Sequence, residues 1–322
     1  MITVYVYQGG KTRKTDRVEP QWLDPASGAT LWVDVINPTP EEGQQLLADT
    51  FRFHPLSVED ALSDVHHPKI EPYERYLYII LHGIDFHAGE HEFATRDVDF
   101  FLGSNYLVTV HDGHSRSIQN LKELCVQHTH ILEEGPVALL HRIVDSMIDN
   151  YAPEMAEIEE EMDQLEEEAI LGAADNLVRP ILAVKRDLAS LRRVVIPQRD
   201  VVGRLARREF PQISNEMAYR FRDVYDHLVR YSDEAAMFQD RVTGILEGYL
   251  SAISNRLNQV MKVLTVMSTI FLPLTVLTGM WGMNVPLPEM PGGARAQFWW
   301  LVGVMVVITV AMLAAFRRKR WI

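Results

Sequence analysis

The chain has 322 residues, 47% of them hydrophobic, and a formal net charge of −13 at neutral pH. Such an acidic balance excludes nucleic acid, which needs a basic surface, and favours cations as partners. The single cysteine, Cys125, excludes an internal disulfide and fits a reducing compartment.

Residues 1–135 alternate strand-like and helix-like segments, and we read them as an α/β domain. "ITVYVY", "LWVDVI", "YLYIILHGI", "DVDFFLG" and "NYLVTVH" are rich in β-branched and aromatic residues and predict strands. "PTPEEGQQLLADTF" and "HPLSVEDAL" predict helices with acidic first turns. Neither GxGxxG nor GxxxxGK[ST] occurs, so no nucleotide-binding motif is present and no organic cofactor is implied.

Residues 136–257 read as a helical domain. In "EMAEIEEEMDQLEEEAI", Met155, Ile158, Met162 and Leu165 recur at helical spacing, with carboxylates between them. Two readings of those carboxylates are compatible: a solvated face beside a helix partner, and a surface that concentrates cations. A second helix is expected near Asp175 to Arg208. In a third, Val224, Leu228, Tyr231, Ala235, Phe238, Val242, Ile245 and Tyr249 alternate steps of four and three, a coiled-coil-like seam on a long stalk helix. Gly244 and Gly248 weaken it by roughly 1 kcal/mol each relative to alanine. No break signal separates this stretch from the apolar run that follows. Such a helix must pack against copies of itself or other helices.

Residues 258–322 read as a transmembrane domain, with spans at about 260–281 and 298–316. Val263 to Trp281 and Phe298 to Phe316 are each 19 residues without a charge. As helices they are roughly 28 Å long, close to the ~30 Å hydrocarbon core of a bilayer. Trp281, Trp299, Trp300 and Trp321 sit at the ends of these runs, where interfacial aromatics belong. From Asn258 onward the only acid is Glu289 and the net charge is +5, leaving −18 on residues 1–257. The Arg317-Arg318-Lys319-Arg320 cluster predicts a cytoplasmic C-terminus, and a pair of spans then returns the N-terminus to the cytoplasm. Neither run is N-terminal, which argues against a secretory signal.

Asn258, Met261, Thr265, Ser268, Leu272 and Thr275 lie three or four apart and share one helix face. Two helices cannot enclose a wet path, so a homo-oligomer is expected, with first spans lining a central pore and second spans outside. The alternative at this point is a dimerising anchor whose Ser and Thr bond their own helix carbonyls.

The first run ends in Gly282-Met283-Asn284. A C-terminal helix pair with Gly-Met-Asn directly after the first span resembles the CorA family of divalent-cation (magnesium) transporters and channels. "NQVMKVLTVMSTIFLPLTVLTGMWGMN" resembles that family's pore helix along its length. "RRKRW" and "HPLSVEDALSDVHHPKIE" are similar to its tail and to a cytosolic segment. Trp281 departs from the Tyr or Phe that often precedes the tripeptide. His67 stands where Arg is common before Pro68-Lys69.

The resemblance implies a funnel-shaped homopentamer in a bacterial or archaeal plasma membrane, with no enzymatic activity. It implies Mg2+ as transported and regulatory ion, with Co2+ and Ni2+ also accepted. Gly282, Met283 and Asn284 become ion-selectivity residues. With helix spacing, Asn258, Met261, Leu264 and Leu272 become pore positions. Glu289 gives the outer loop a modest attraction for cations. Asp60 and Asp223 resemble regulatory carboxylates that meet across a subunit boundary.

Two rivals remain. One keeps the fold and carries Zn2+, in the manner of the ZntB branch, with a proton-coupled variant. His66, His67, His82, His87 and His91 invite it, since Zn2+ favours imidazole. The other is an enzyme or a signalling protein tethered by a helical hairpin; Asp99, His111 and Asp112 suggest hydrolytic chemistry, without a nucleophile motif beside them.

Overall fold

The structure is a computed structural model and describes residues 1–63, 67–87, 92–127, 130–171, 176–283, 293–319 and 321. The chain divides into two compact units, Met1–Leu246 and Glu247–Ile322.

The first unit is built on a seven-stranded sheet: β1 (Ile2–Gln8), β2 (Lys11–Thr15), β3 (Thr30–Ile36), β4 (Lys69–Pro72), β5 (Leu77–His87), β6 (Glu92–Leu102) and β7 (Tyr106–His111). Strand order is β2-β1-β3-β7-β6-β5-β4. Only the β3–β7 pair is parallel, with Leu31 opposite Tyr106 and Ile36 opposite His111. The predicted strands are β1, β3, β5, β6 and β7. The two edge strands, β2 and β4, escape sequence reading. "KTRKT" has no apolar residue, and "KIEP" buries only Ile70 of its four residues. Short, charged edge strands of this kind discourage pairing with another chain.

One sheet face buries Val4, Val6, Val33, Tyr78, Phe101 and Val108 against Leu46, Leu47, Phe53 and Val58. These latter residues come from the π-helical Gln44–Thr50 that continues α1 (Pro40–Gly43), from the following turn and from α2 (Pro55–Ala61). Thr39 and Glu42 form a capping box at α1. At α2 the expectation of an acidic first turn is corrected. Glu59 and Asp60 lie at its C-terminal end, and His54 caps the start by accepting from the Leu56 N–H at 3.2 Å. Proline follows His54 directly, so the helix starts there and the acids fall in the last turn.

Helices α3 (Arg116–Gln127), α4 (His130–Glu133) and α5 (Pro136–Asp149) pack on the other face. With both faces covered, β3 is buried from Leu31 to Val35, Asp34 included. Asp34 is accommodated by partners. It accepts from Thr109 Oγ1 at 2.7 Å and from His111 Nε2 at 3.0 Å, and it pairs with Lys122. Burial alone would raise its pKa, but these groups outweigh that and lower it.

The helical part continues through α6 (Tyr151–Leu171), α7 (Val178–Ala206) and the 67-residue α8 (Asn215–Trp281). Met155, Ile158, Met162 and Leu165 of α6 are buried, as their spacing predicts for a helix with a partner. All eight residues of the α8 seam are buried too. Tyr231 stacks on Tyr151 of α6 at 5.9 Å, and Arg241 binds Glu166 at 2.6 Å and Asp163 at 2.5 Å. Within the first unit the seam thus packs on α6 of its own chain, and part of the acidic face of α6 is neutralised by Arg241 of α8.

In the second unit, α8 continues through Pro273 to Trp281, and α9 (Gly293–Arg318) follows. Both carry an apolar stretch long enough to cross a membrane.

Candidate ion path and regulatory carboxylates

Within the uncharged run of α8, Val266 and Ile270 are buried, and Pro273, Leu274, Leu277 and Trp281 are half-buried. At about 100° per residue these six share one side of the helix. On α9 the half-buried positions include Leu301, Met305, Ile308, Met312 and Phe316, again at helical spacing. Trp321, just beyond α9, lines a groove with Asn255, Asn258, Lys262 and Thr265 at the start of the first span. The second span thus returns antiparallel to the first, and the two half-buried stripes face one another.

Asn258, Met261, Leu264, Thr265, Ser268, Leu272 and Thr275 are all exposed and lie off the α9-covered stripe. The hydroxyls of Thr265, Thr269 and Thr275 donate to the carbonyls of Met261, Thr265 and Phe271 at 2.7, 2.7 and 2.8 Å. The self-bonding expected of an anchor is therefore present, and it does not oppose the pore reading. A hydroxyl whose proton is committed to its own helix offers only lone pairs outward, which suits the water hydrogens around a cation. Pro273 adds to this, because it has no N–H to give the Thr269 carbonyl.

At the helix end, Gly282 N–H donates to Thr278 O at 2.9 Å. A Cβ on Gly282 would stand 3.3 Å from that same oxygen, a close approach that favours glycine. Met283 is exposed. Asn284 and Glu289 lie outside the described residues.

Asp60, near the end of α2, is held by Lys69 of β4, with Nζ to Oδ2 at 2.5 Å. Lys69 also meets Glu71 at 3.2 Å and lies 5.4 Å from the Tyr78 ring centre. Burial disfavours its charge, but the bonds to Asp60 and Glu71 outweigh this and raise its pKa. Asp223 is exposed on α8. It contributes repulsion at Asp145 of α5, whose pKa is raised by burial first and then by Asp149 and Asp223. Asp145 and Asp149 stand one helical turn apart on α5, a spacing already visible in the sequence.

Oxygen donors of this kind fit a hard cation such as Mg2+. Among the described residues of one chain, no three His, Cys, Asp or Glu side chains are grouped to hold a metal. A regulatory site built on these residues needs donors from another chain or from water.

The histidines do not converge. His82 is buried against Asp97 at 2.7 Å. His111 accepts the Gly113 N–H on Nδ1 at 3.0 Å, so Nε2 carries the proton given to Asp34. His67 is exposed; His66, His91 and the side chain of His87 lie outside the described residues. Of the remaining groups that suggested hydrolysis, Asp99 is bonded by Tyr78 at 2.5 Å and Asp112 by Arg96 at 2.6 Å.

A profile of the CorA-like Mg2+ transporter protein family matches residues 27–318. The chain belongs to the CorA family. It is 32% identical to the cobalt/magnesium transport protein CorA of Thermotoga maritima, over 96% of this chain and 88% of that one. The complete structure of the CorA magnesium transporter from Methanocaldococcus jannaschii superposes with a TM-score of 0.86 at 24% identity, covering 100% of this chain and 99% of that one. The ZntB cytoplasmic domain from Vibrio parahaemolyticus shares the fold of the soluble part, with a TM-score of 0.63 at 15% identity over 79% of this chain and 98% of that one. As a CorA-family member the chain is a divalent-cation transporter of the membrane, not an enzyme. Its α/β sheet, long helix and C-terminal apolar pair are those of the CorA fold.

Proposed function

We propose that this CorA-family chain mediates Mg2+ uptake across a bacterial or archaeal plasma membrane, with Co2+ and Ni2+ as further substrates. The observation that carries the reading is the polar, exposed face of α8 lying away from the stripe covered by α9. In a homopentamer, five copies of that face surround one path. Asn258 forms an inner polar ring; Met261, Leu264 and Leu272 form apolar constrictions; Thr265, Ser268 and Thr275 supply acceptors between them. At the outer mouth, Gly282 and Met283 present Asn284, whose neutral amide oxygen binds the water around Mg2+ without stripping it. Glu289 draws cations toward the mouth. Both termini are cytoplasmic, and residues 1–135 and 136–257 form the cytosolic part.

Cytosolic Mg2+ closes the channel through Asp60 and Asp223 at the subunit boundary. A bound ion screens carboxylate repulsion and favours the closed arrangement, and its loss releases the subunits toward conduction.

The ZntB-like reading, Zn2+ transport with proton coupling, rests on a shared soluble fold, but the buried pairing of His82 with Asp97 removes one of the imidazoles that invited it. Uptake into liposomes separates the two. Mg2+ entry without a pH gradient supports the first; Zn2+ entry driven only by a proton gradient would replace it.

A further inference from the structure

Resting on the regulatory reading above, we infer that Lys69 is a tethered counter-ion that competes with Mg2+ for Asp60 and so sets the concentration at which the sensor fills. Its ammonium stands 2.5 Å from Asp60 Oδ2 and 3.2 Å from Glu71 Oε1. The Tyr78 ring, 5.4 Å away, adds a cation–π contact, and the Tyr78 hydroxyl is itself fixed by Asp99 at 2.5 Å. The lysine side chain is 30% exposed and the aspartate 26%, so the pair is sheltered but reachable by a hydrated ion. Asp60 is therefore not a bare carboxylate awaiting a cation. A cation already occupies it, anchored by a stem on the neighbouring strand.

The competition follows from charge. Mg2+ arriving at Asp60 meets both an attractive carboxylate and a repelling ammonium within a few ångströms, in surroundings of lower dielectric than water. Either the ammonium swings toward Glu71 or the ion binds at a disadvantage. Both routes weaken occupancy relative to a site without the lysine. A weak site suits an ion present at high cytosolic concentration, and Lys69 supplies the weakening without changing the oxygen donors. Glu71 gives the displaced ammonium a second anion to rest on.

The test uses the full-length protein in detergent. Mg2+ is titrated while the thermal unfolding midpoint and the rate of limited proteolysis are followed, for wild type, Lys69→Met and Lys69→Arg. Methionine keeps the apolar stem over Tyr78 and removes the charge. The expected result is that Lys69→Met reaches half-maximal protection at roughly tenfold lower Mg2+, while Lys69→Arg stays near wild type. Adding Asp60→Asn to Lys69→Met should abolish the gain. Lys69→Gln serves if the methionine variant fails to fold without Mg2+. A midpoint that is unchanged or higher in the neutral variants overturns the inference. If Mg2+ protection persists unaltered in Asp60→Ala with Asp223→Ala, it is the regulatory reading that fails.

Discussion

The Tyr78 hydroxyl donates to the Asp99 carboxylate across 2.5 Å inside the sheet, and Asp99 is only 7% exposed. Burial pushes the Asp99 pKa from 3.8 up to about 7, with Asp97 and Asp60 adding repulsion and Tyr78 and Lys69 opposing it. The folded state therefore keeps a proton that the unfolded state releases near pH 3.8. Between those values the native state binds more protons, so this group's contribution to stability falls as pH rises from about 4 to about 7 and is flat above. Asp99→Asn should remove that slope, at most about 1.4 kcal/mol per pH unit. Thermal unfolding at pH 5 and pH 8 checks it: the wild type should lose more stability than the variant, and equal losses would refute the assignment.

Gln198 of α7 is fully buried and accepts from the His82 N–H at 2.7 Å, while its own amide donates to the Tyr151 hydroxyl at 2.5 Å. Tyr151 in turn donates to the His82 carbonyl at 3.0 Å, so one side chain ties β5 to α6 and α7. Gln198→Leu strands a buried N–H, with an expected loss of about 1–3 kcal/mol. Denaturant unfolding of the solubilised protein measures it, with Arg199→Ala, a partly exposed neighbour, as the control that should change little.

The proposed constrictions resist wetting because their side chains are apolar. Leu264→Ser or Leu272→Ser should raise basal ion leak into liposomes roughly tenfold, whereas Val306→Ser on the exposed side of α9 should not. Leak that rises equally in all three would place the path elsewhere.

Asn284→Ala should cut selective Mg2+ uptake by roughly tenfold or more while leaving the oligomer intact. Flux and size-exclusion profiles taken together decide it; an unchanged ion ranking at an unchanged rate would remove Asn284 from the selectivity role.

Much of this was legible in the sequence, and the illegible parts share a cause. The α8 seam survives in the letters because apolar residues at steps of four and three need a partner whatever that partner is. Whose surface buries them is tertiary information, and within the first unit α6 of the same chain answers it. Strand β3 reads as a strand, yet nothing local announces that Asp34 is tolerated by Thr109, His111 and Lys122, all more than 70 residues away in the chain. Strand β2 is invisible because an exposed edge needs no apolar residue. Along α8, polar spacing plus family resemblance singled out one face of the first span. The Val266–Ile270 stripe stayed hidden because an apolar run looks alike on every side. The Asp60–Lys69 pair, one partner at the end of α2 and the other on β4, leaves no periodic signal either.

The account's central claim is that the α8 face away from α9 lines the ion path. Single cysteines placed from Asn258 to Thr275 in a Cys125→Ser background, probed with a small charged thiol reagent during Mg2+ flux, test it most directly. The account predicts modification and block at 258, 261, 265, 268, 272 and 275, and silence at the buried positions 266 and 270. Modification without a three-to-four periodicity, or block from positions 266 and 270, would contradict it.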